Sequence, residues 1–159
     1  MKKALVLVAL LSAGLLPAAP AQAQPKDIVE TAVAAGSFKT LAKLLGDADL
    51  IGVMKSPGPF TVFAPTDEAF AKVPKETLDA LAKDKAKLAK VLRYHVLTSS
   101  WTSADLKLVK QAGTAEGQSV SITVNGGVIS INNAKIIKGD VAASNGSIQV
   151  IDAVLMPPK

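Results

Sequence analysis

Few side chains here are equipped for chemistry, and the only histidine, His95, heads them. A Ser-His-Asp hydrolase needs its imidazole open in a cleft beside a hydroxyl and a carboxylate, and a zinc centre needs further ligands. Leu88, Val91 and Leu92 precede His95 at helical spacing, so the register turns it inward. A buried neutral imidazole needs a partner for each nitrogen, which points to a structural histidine. Asp152 is the second candidate. Alternation along Ile148 to Leu155 places it on one strand face with Ile148, Val150 and Val154, while Ile151 and Leu155 take the other. A carboxylate between two apolar faces must be paired or hydrogen-bonded. It is either a general acid–base group or a polar staple to Thr66, to the helix start at Asp67 and Glu68, or to His95. The staple is the expectation, because no second catalytic group accompanies it.

The remaining polar residues point away from cofactors. Asp47 and Asp49 stand two apart, without the glycine and distant glutamate of a calcium loop. Gly126-Gly127 has no helix after it and cradles no phosphate. Lys83, Lys85, Lys87, Lys90 and Arg93 alternate with Asp79 and Asp84, which reads as a solvated helix face rather than a nucleic-acid footprint. No metal, cofactor or nucleic-acid partner is expected. Asn145-Gly146-Ser147 matches a glycosylation acceptor, but its place between two apolar runs reads as a turn. Trp101, after Ser99-Ser100, is the best single aromatic anchor for a partner, or else a lid on the core.

These residues must be positioned by helices first and strands afterwards. Ile28, Val29, Ala32 and Val33 mark a helix stopped by Gly36. Ser37 is placed to cap a second helix through Leu45, and Asp47 a third turn through Met54. Phe60 to Ala64 reads as a strand covered on both faces, closed by Pro65. Thr66 caps the next helix, with Asp67 and Glu68 where the helix dipole favours negative charge. Pro74 separates it from a helix starting near Lys75, and Lys85 to Val96 forms another. Beyond Leu97 the texture is strand-like. Val120–Val124 and Val128–Ile131 flank Asn125-Gly126-Gly127, a hairpin signal. Ile136–Val141 and Ser147–Leu155 form a second pair around Ser144-Asn145-Gly146. The fold class is α+β, with helices packed on an antiparallel sandwich or partly open barrel.

Composition narrows the setting. Lys2-Lys3, the apolar run Ala4–Leu16 and Ala21-Gln22-Ala23 have the form of a secretory signal over residues 1–23, leaving one domain over 24–159. Removing Lys2 and Lys3 from 18 basic residues leaves 16 against 13 acidic, a mild excess suited to solubility. The absence of cysteine excludes thiol catalysis, iron–sulfur ligation and a lipidated cysteine anchor. With no second apolar span, the expected product is free of a stable membrane anchor, in a periplasm or outside the cell.

Three segments carry a family resemblance. Thr61-Val62-Phe63-Ala64-Pro65-Thr66-Asp67-Glu68-Ala69-Phe70, Leu92-Arg93-Tyr94-His95-Val96-Leu97 and the run from Asn145-Gly146 to Pro157 resemble, in order, the signature segments of fasciclin (FAS1) domains. The resemblance covers about Asp27 to Pro157. It implies a wedge-shaped antiparallel β-sandwich flanked by short helices, exported and non-enzymatic. It also implies a role in adhesion, with an unknown protein or polysaccharide of the envelope or matrix as partner. In animal members the tyrosine–histidine region and the last segment are tied to receptor binding, which nominates Tyr94, His95 and Asp152. Tyr94, nearer the lysine face, is the expected surface residue of these. Gln149 stands where many members carry a second histidine. Some members carry pigments, so a small apolar ligand between helices and sandwich is the alternative expectation.

Overall fold

The computed structural model describes residues 26–158; the expected signal segment, residues 1–23, lies outside them. Helices come first: α1 (Ile28–Ala35), α2 (Lys39–Asp47) and α3 (Ile51–Lys55). Strand β1 (Phe60–Pro65) is followed by α4 (Asp67–Ala71), α5 (Lys75–Lys83), α6 (Lys85–Tyr94), the short β2 (Val96–Leu97) and α7 (Ser103–Leu106). The rest is strand: β3 (Gln111–Gly113), β4 (Ser119–Asn125), β5 (Val128–Ile131), β6 (Ala134–Ala143) and β7 (Gly146–Ile151). The α+β class and the helix-then-strand order follow the sequence reading.

The seven strands form one sheet in the order β2-β1-β7-β6-β5-β4-β3. Its central pair departs from expectation: β1 and β7 run parallel, Val62 beside Ile148 and Ala64 beside Val150, so the sheet is mixed rather than antiparallel. A parallel pair needs a long crossover, and here every element except α1, α2 and α3 lies between the two strands. At the far ends the sheet curls back on itself. Leu97 bridges Thr114, and the Ala115 N–H donates to the Val96 carbonyl at 2.7 Å.

Alternation then divides the core. Val62, Ala64, Ile148 and Val150 pack with Leu41, Leu45, Leu88 and Leu92 from the helices. Phe63 and Ile151 point the other way, into Val120, Ile122, Ile129 and Ile131 of the outer strands. The expectation of a doubly covered β1 holds, since Thr61 to Pro65 are all buried.

Two expected caps are corrected. The N-cap of α2 is Phe38, with no side-chain bond, rather than Ser37. Asp47 is the last residue of α2, and the N-cap of α3 is Leu50, again with no side-chain bond. The β4–β5 turn also shifts by one residue. Asn125 pairs with Val128, and Gly126 and Gly127 take the positive φ angles, 58° and 83°, that a two-residue hairpin demands.

Candidate interaction surface

The first signature segment holds the helical layer in place. Thr66 caps α4 as expected, its hydroxyl accepting the Ala69 N–H at 3.2 Å. Asp67 does more than favour its own helix. Its carboxylate accepts the Thr40 N–H at 2.8 Å and the Lys39 N–H at 3.4 Å, so it caps α2 across space where Ser37 does not. Burial opposes ionisation of Asp67, but these donors outweigh it and hold the carboxyl below its ordinary value of 3.8.

Asn145 is the polar hub of the last segment. Its Oδ1 accepts the Ile28 N–H at 3.0 Å, capturing the start of α1. Its Nδ2 donates to the carbonyls of Met54 at 2.6 Å and Ser56 at 2.9 Å, capturing the end of α3. The glycosylation match hid this role, because each polar atom of the amide is already bonded inside the domain. Gly146 beside it is required by close approach. A Cβ there would overlap the Phe60 carbonyl oxygen at the start of the parallel seam.

His95 is buried, 2% exposed. Nδ1 lies 2.8 Å from the Val91 carbonyl, so it carries the proton, and Nε2 accepts the Leu155 N–H at 2.9 Å. The imidazole therefore joins α6 to the segment after β7. Burial lowers its pKa from 6.5 to about 4, against the opposing pull of the Val91 carbonyl. With both nitrogens held by main chain, it has no face left for a substrate.

Asp152 is corrected in place and in partner. Strand β7 ends at Ile151, and Asp152 sits in the following bend, partly exposed. Its Oδ1 accepts the Lys135 N–H at 2.8 Å and its own N–H donates to the Lys135 carbonyl at 3.1 Å. None of the expected donors (Thr66, the α4 N-terminus, His95) is the partner. Tyr94, expected at the surface, is 2% exposed. It lies at the end of α6 with its ring among the outer strands' core, because its hydroxyl finds partners there. Asn132 Nδ2 donates to it at 3.0 Å, and it donates to the Ser119 carbonyl at 3.3 Å. The exposed member of this segment is Arg93. It flanks an apolar groove of about 270 Å³ floored by Leu50, Met54, Phe60 and Val96.

Trp101 is the half-buried aromatic, and its main chain is held at both ends. The buried Thr61 hydroxyl accepts its N–H at 2.8 Å, and its carbonyl accepts from Ser147 Oγ at 3.3 Å and Gln149 Nε2 at 3.4 Å. Two residues on, Ser103 donates its N–H (2.7 Å) and hydroxyl (2.5 Å) to Asp140. Gln149, fully buried, grips Asp140 through both amide atoms, each at 3.1 Å. The Ser103 hydroxyl, its N–H and the Gln149 amide hold the Asp140 carboxyl below its ordinary value. A carboxylate so stabilised is a weak base, so the Ser103–Asp140 pair does not make an activated nucleophile. Sequence reasoning missed this clamp. The available signal was Gln149 itself, a polar residue at an inward strand position between Ile148 and Val150.

Among the described residues, no three acidic or histidine side chains gather into a metal-binding group. No described helix is long and apolar enough to cross a membrane.

Comparison with known proteins places this geometry. The sequence profile of the fasciclin domain matches residues 36–157. An uncharacterized protein of Synechocystis sp. is 43% identical over 130 residues, covering 82% of this chain and 97% of that protein. Immunogenic protein MPB70 of Mycobacterium bovis is 34% identical over 150 residues, 89% of this chain and 76% of the relative. Homo sapiens periostin is 32% identical over 133 residues, 83% of this chain but only 16% of periostin. Among solved structures, a FAS1 domain pair from the insect cell adhesion molecule fasciclin I matches with a TM-score of 0.63 at 21% identity. That match covers 77% of this chain and 46% of the other, a likeness of fold.

Proposed function

Since the chain belongs to the fasciclin domain family, we propose that it is a non-enzymatic binding module of adhesion or of contact with the cell envelope or matrix. The observation that carries this reading is the clamped Trp101 segment. Fixing a half-buried tryptophan by three hydrogen bonds to its main-chain N–H and carbonyl lowers the ordering cost that a loop otherwise meets on binding. Arg93 and its apolar groove supply a second contact, of the aromatic and arginine chemistry enriched where partners bind tightly. His95, Asn145 and Asp67 belong to the scaffold in this reading, and Tyr94 acts through the fold rather than by touching a partner. The solved structure of like fold comes from an insect cell adhesion molecule, which supports the same assignment. Export by the 1–23 segment into a periplasm or beyond, free of a membrane anchor, completes it.

Contact through one small domain is weak and gains strength by multivalency. The test is saturable binding of the exported protein to envelope fractions and matrix polysaccharide, with Arg93→Ala and Trp101→Ala compared at matched melting temperatures. Loss of binding in either variant supports the surface. Absence of saturable binding, or binding indifferent to both changes, overturns it. A pigment or lipid enclosed between helices and sheet is disfavoured by volume. The void there, lined by Ile28, Leu41, Met54, Leu92 and His95, is about 20 Å³, room for about one water. The apolar-ligand alternative keeps one location, an open cleft beside this void, bordered by Thr31 and Ala35 of α1 and sharing Ile148 with it.

A further inference from the structure

We propose that the cleft between α1 and the bulged strand β6 binds a free medium-chain amphiphile with one anionic head, its chain over Phe38, Ile148 and Val150 and its head at Lys138. This site does not depend on the adhesion reading. Helix α1 packs against β7, while β6 breaks register with β7 between Ile136 and Lys138 and again between Lys138 and Val141. Bulges of this kind bend a strand and re-aim its side chains. The result is an opening of about 290 Å³ between the end of α1, the α1–α2 link and β6. At about 30 Å³ per water-sized group, it takes on the order of ten such groups.

The lining sets the chemistry. Phe38, Ile148 and Val150 form an apolar floor, and Ile137 stands at the rim 59% exposed, an apolar surface without cover. Of the hydroxyls around it, Thr31 donates its proton to the Lys26 carbonyl, while Thr66, which accepts the Ala69 N–H, and Ser37 are uncharged donors that serve an acid or an alcohol head alike. Lys138 is the one charged side chain lining the cleft, and it makes no ion pair among the described residues. Past Ser37 and Thr66 the cleft opens into a polar recess bearing Asp67 and Glu68. Those carboxylates repel an anion at that end, which orients the head toward Lys138 and the tail along the floor. A cationic amphiphile meets the lysine, and a neutral one lacks the charge-assisted bond.

The experiment titrates decanoate, decanol and decyltrimethylammonium, each as monomer, into the exported protein, reading backbone amide shifts of Ile148 and Val150. Decanoate is expected to bind one-to-one and about tenfold more tightly than decanol, the worth of one charge-assisted bond. Lys138→Gln should remove that tenfold difference and leave decanol unchanged. Ala35→Trp, at the exposed last residue of α1, should plug the cleft and abolish binding of both at an unaltered melting temperature. If Ala35→Trp lowers that temperature, Lys138→Gln alone decides. Equal affinity for the three probes, no saturable shift at millimolar decanoate, or binding that appears only on phosphatidylglycerol vesicles would overturn the proposal.

Discussion

The knot of α1, α3, β1 and β7 and the Trp101 segment are both held by polar side chains, but to opposite ends. In the knot, Asn145, Asp67 and His95 reach inward to main-chain groups that would otherwise lie unpaired: the starts of α1 and α2, the end of α3, the N–H of Leu155. In the Trp101 segment, Thr61, Gln149 and Asp140 reach from the strands to fix a surface loop. The first arrangement makes the domain; the second presents a residue on it. Substitutions should therefore unfold the protein in one region and change only its contacts in the other.

The sharpest way to break this contrast is Gly146→Val. The added side chain overlaps the Phe60 carbonyl where neither backbone can give way, so no cooperative urea transition should remain by circular dichroism. Asn145→Ala comes next. It orphans one N–H and two carbonyls at helix ends, and a loss of about 3 kcal/mol in urea unfolding is expected.

Acid probes the knot without mutation. The folded pKa of His95, about 4, lies below the unfolded value of 6.5, so folding favours the neutral ring. That stability is complete above pH 6.5, falls as pH drops from 6.5 towards 4, and is constant below. The fall is about 3 kcal/mol, and His95→Gln should flatten it. Asp67 and Asp140, held below 3.8, add a separate loss only at lower pH.

The smallest effect sharpens the contrast from the other side. Ser103→Ala removes a hydroxyl bond at the surface and should cost about 1 kcal/mol or less. If the loop is for presentation, it should still weaken partner binding measurably. A stability loss equal to that of Asn145→Ala would erase the distinction.

How far the chain was readable follows the same division. Helix α1 with its Gly36 stop, the buried β1, the Thr66 cap and the inward His95 were legible because local spacing and capping chemistry encode them. The trans cap by Asp67 was not, since its target, α2, starts 28 residues earlier in sequence. Nor was the parallel seam. An apolar strand covered on both faces announces burial, not the direction of its neighbour. Tyr94 and Asp152 were misplaced for a related reason. Helical and strand registers were extended through positions where each element ends, and there a hydroxyl or carboxylate follows the nearest unpaired main-chain group instead of the period.

The parallel seam has a kinetic consequence. It pairs Val62 with Ile148, and β7 is the last strand of the described residues, so the centre of the sheet cannot close until β7 has been synthesised. Contacts of such long sequence separation make for slow folding. Through most of its synthesis the polypeptide therefore lacks a completed core, and its helical and outer-strand halves wait on the last strand to join them.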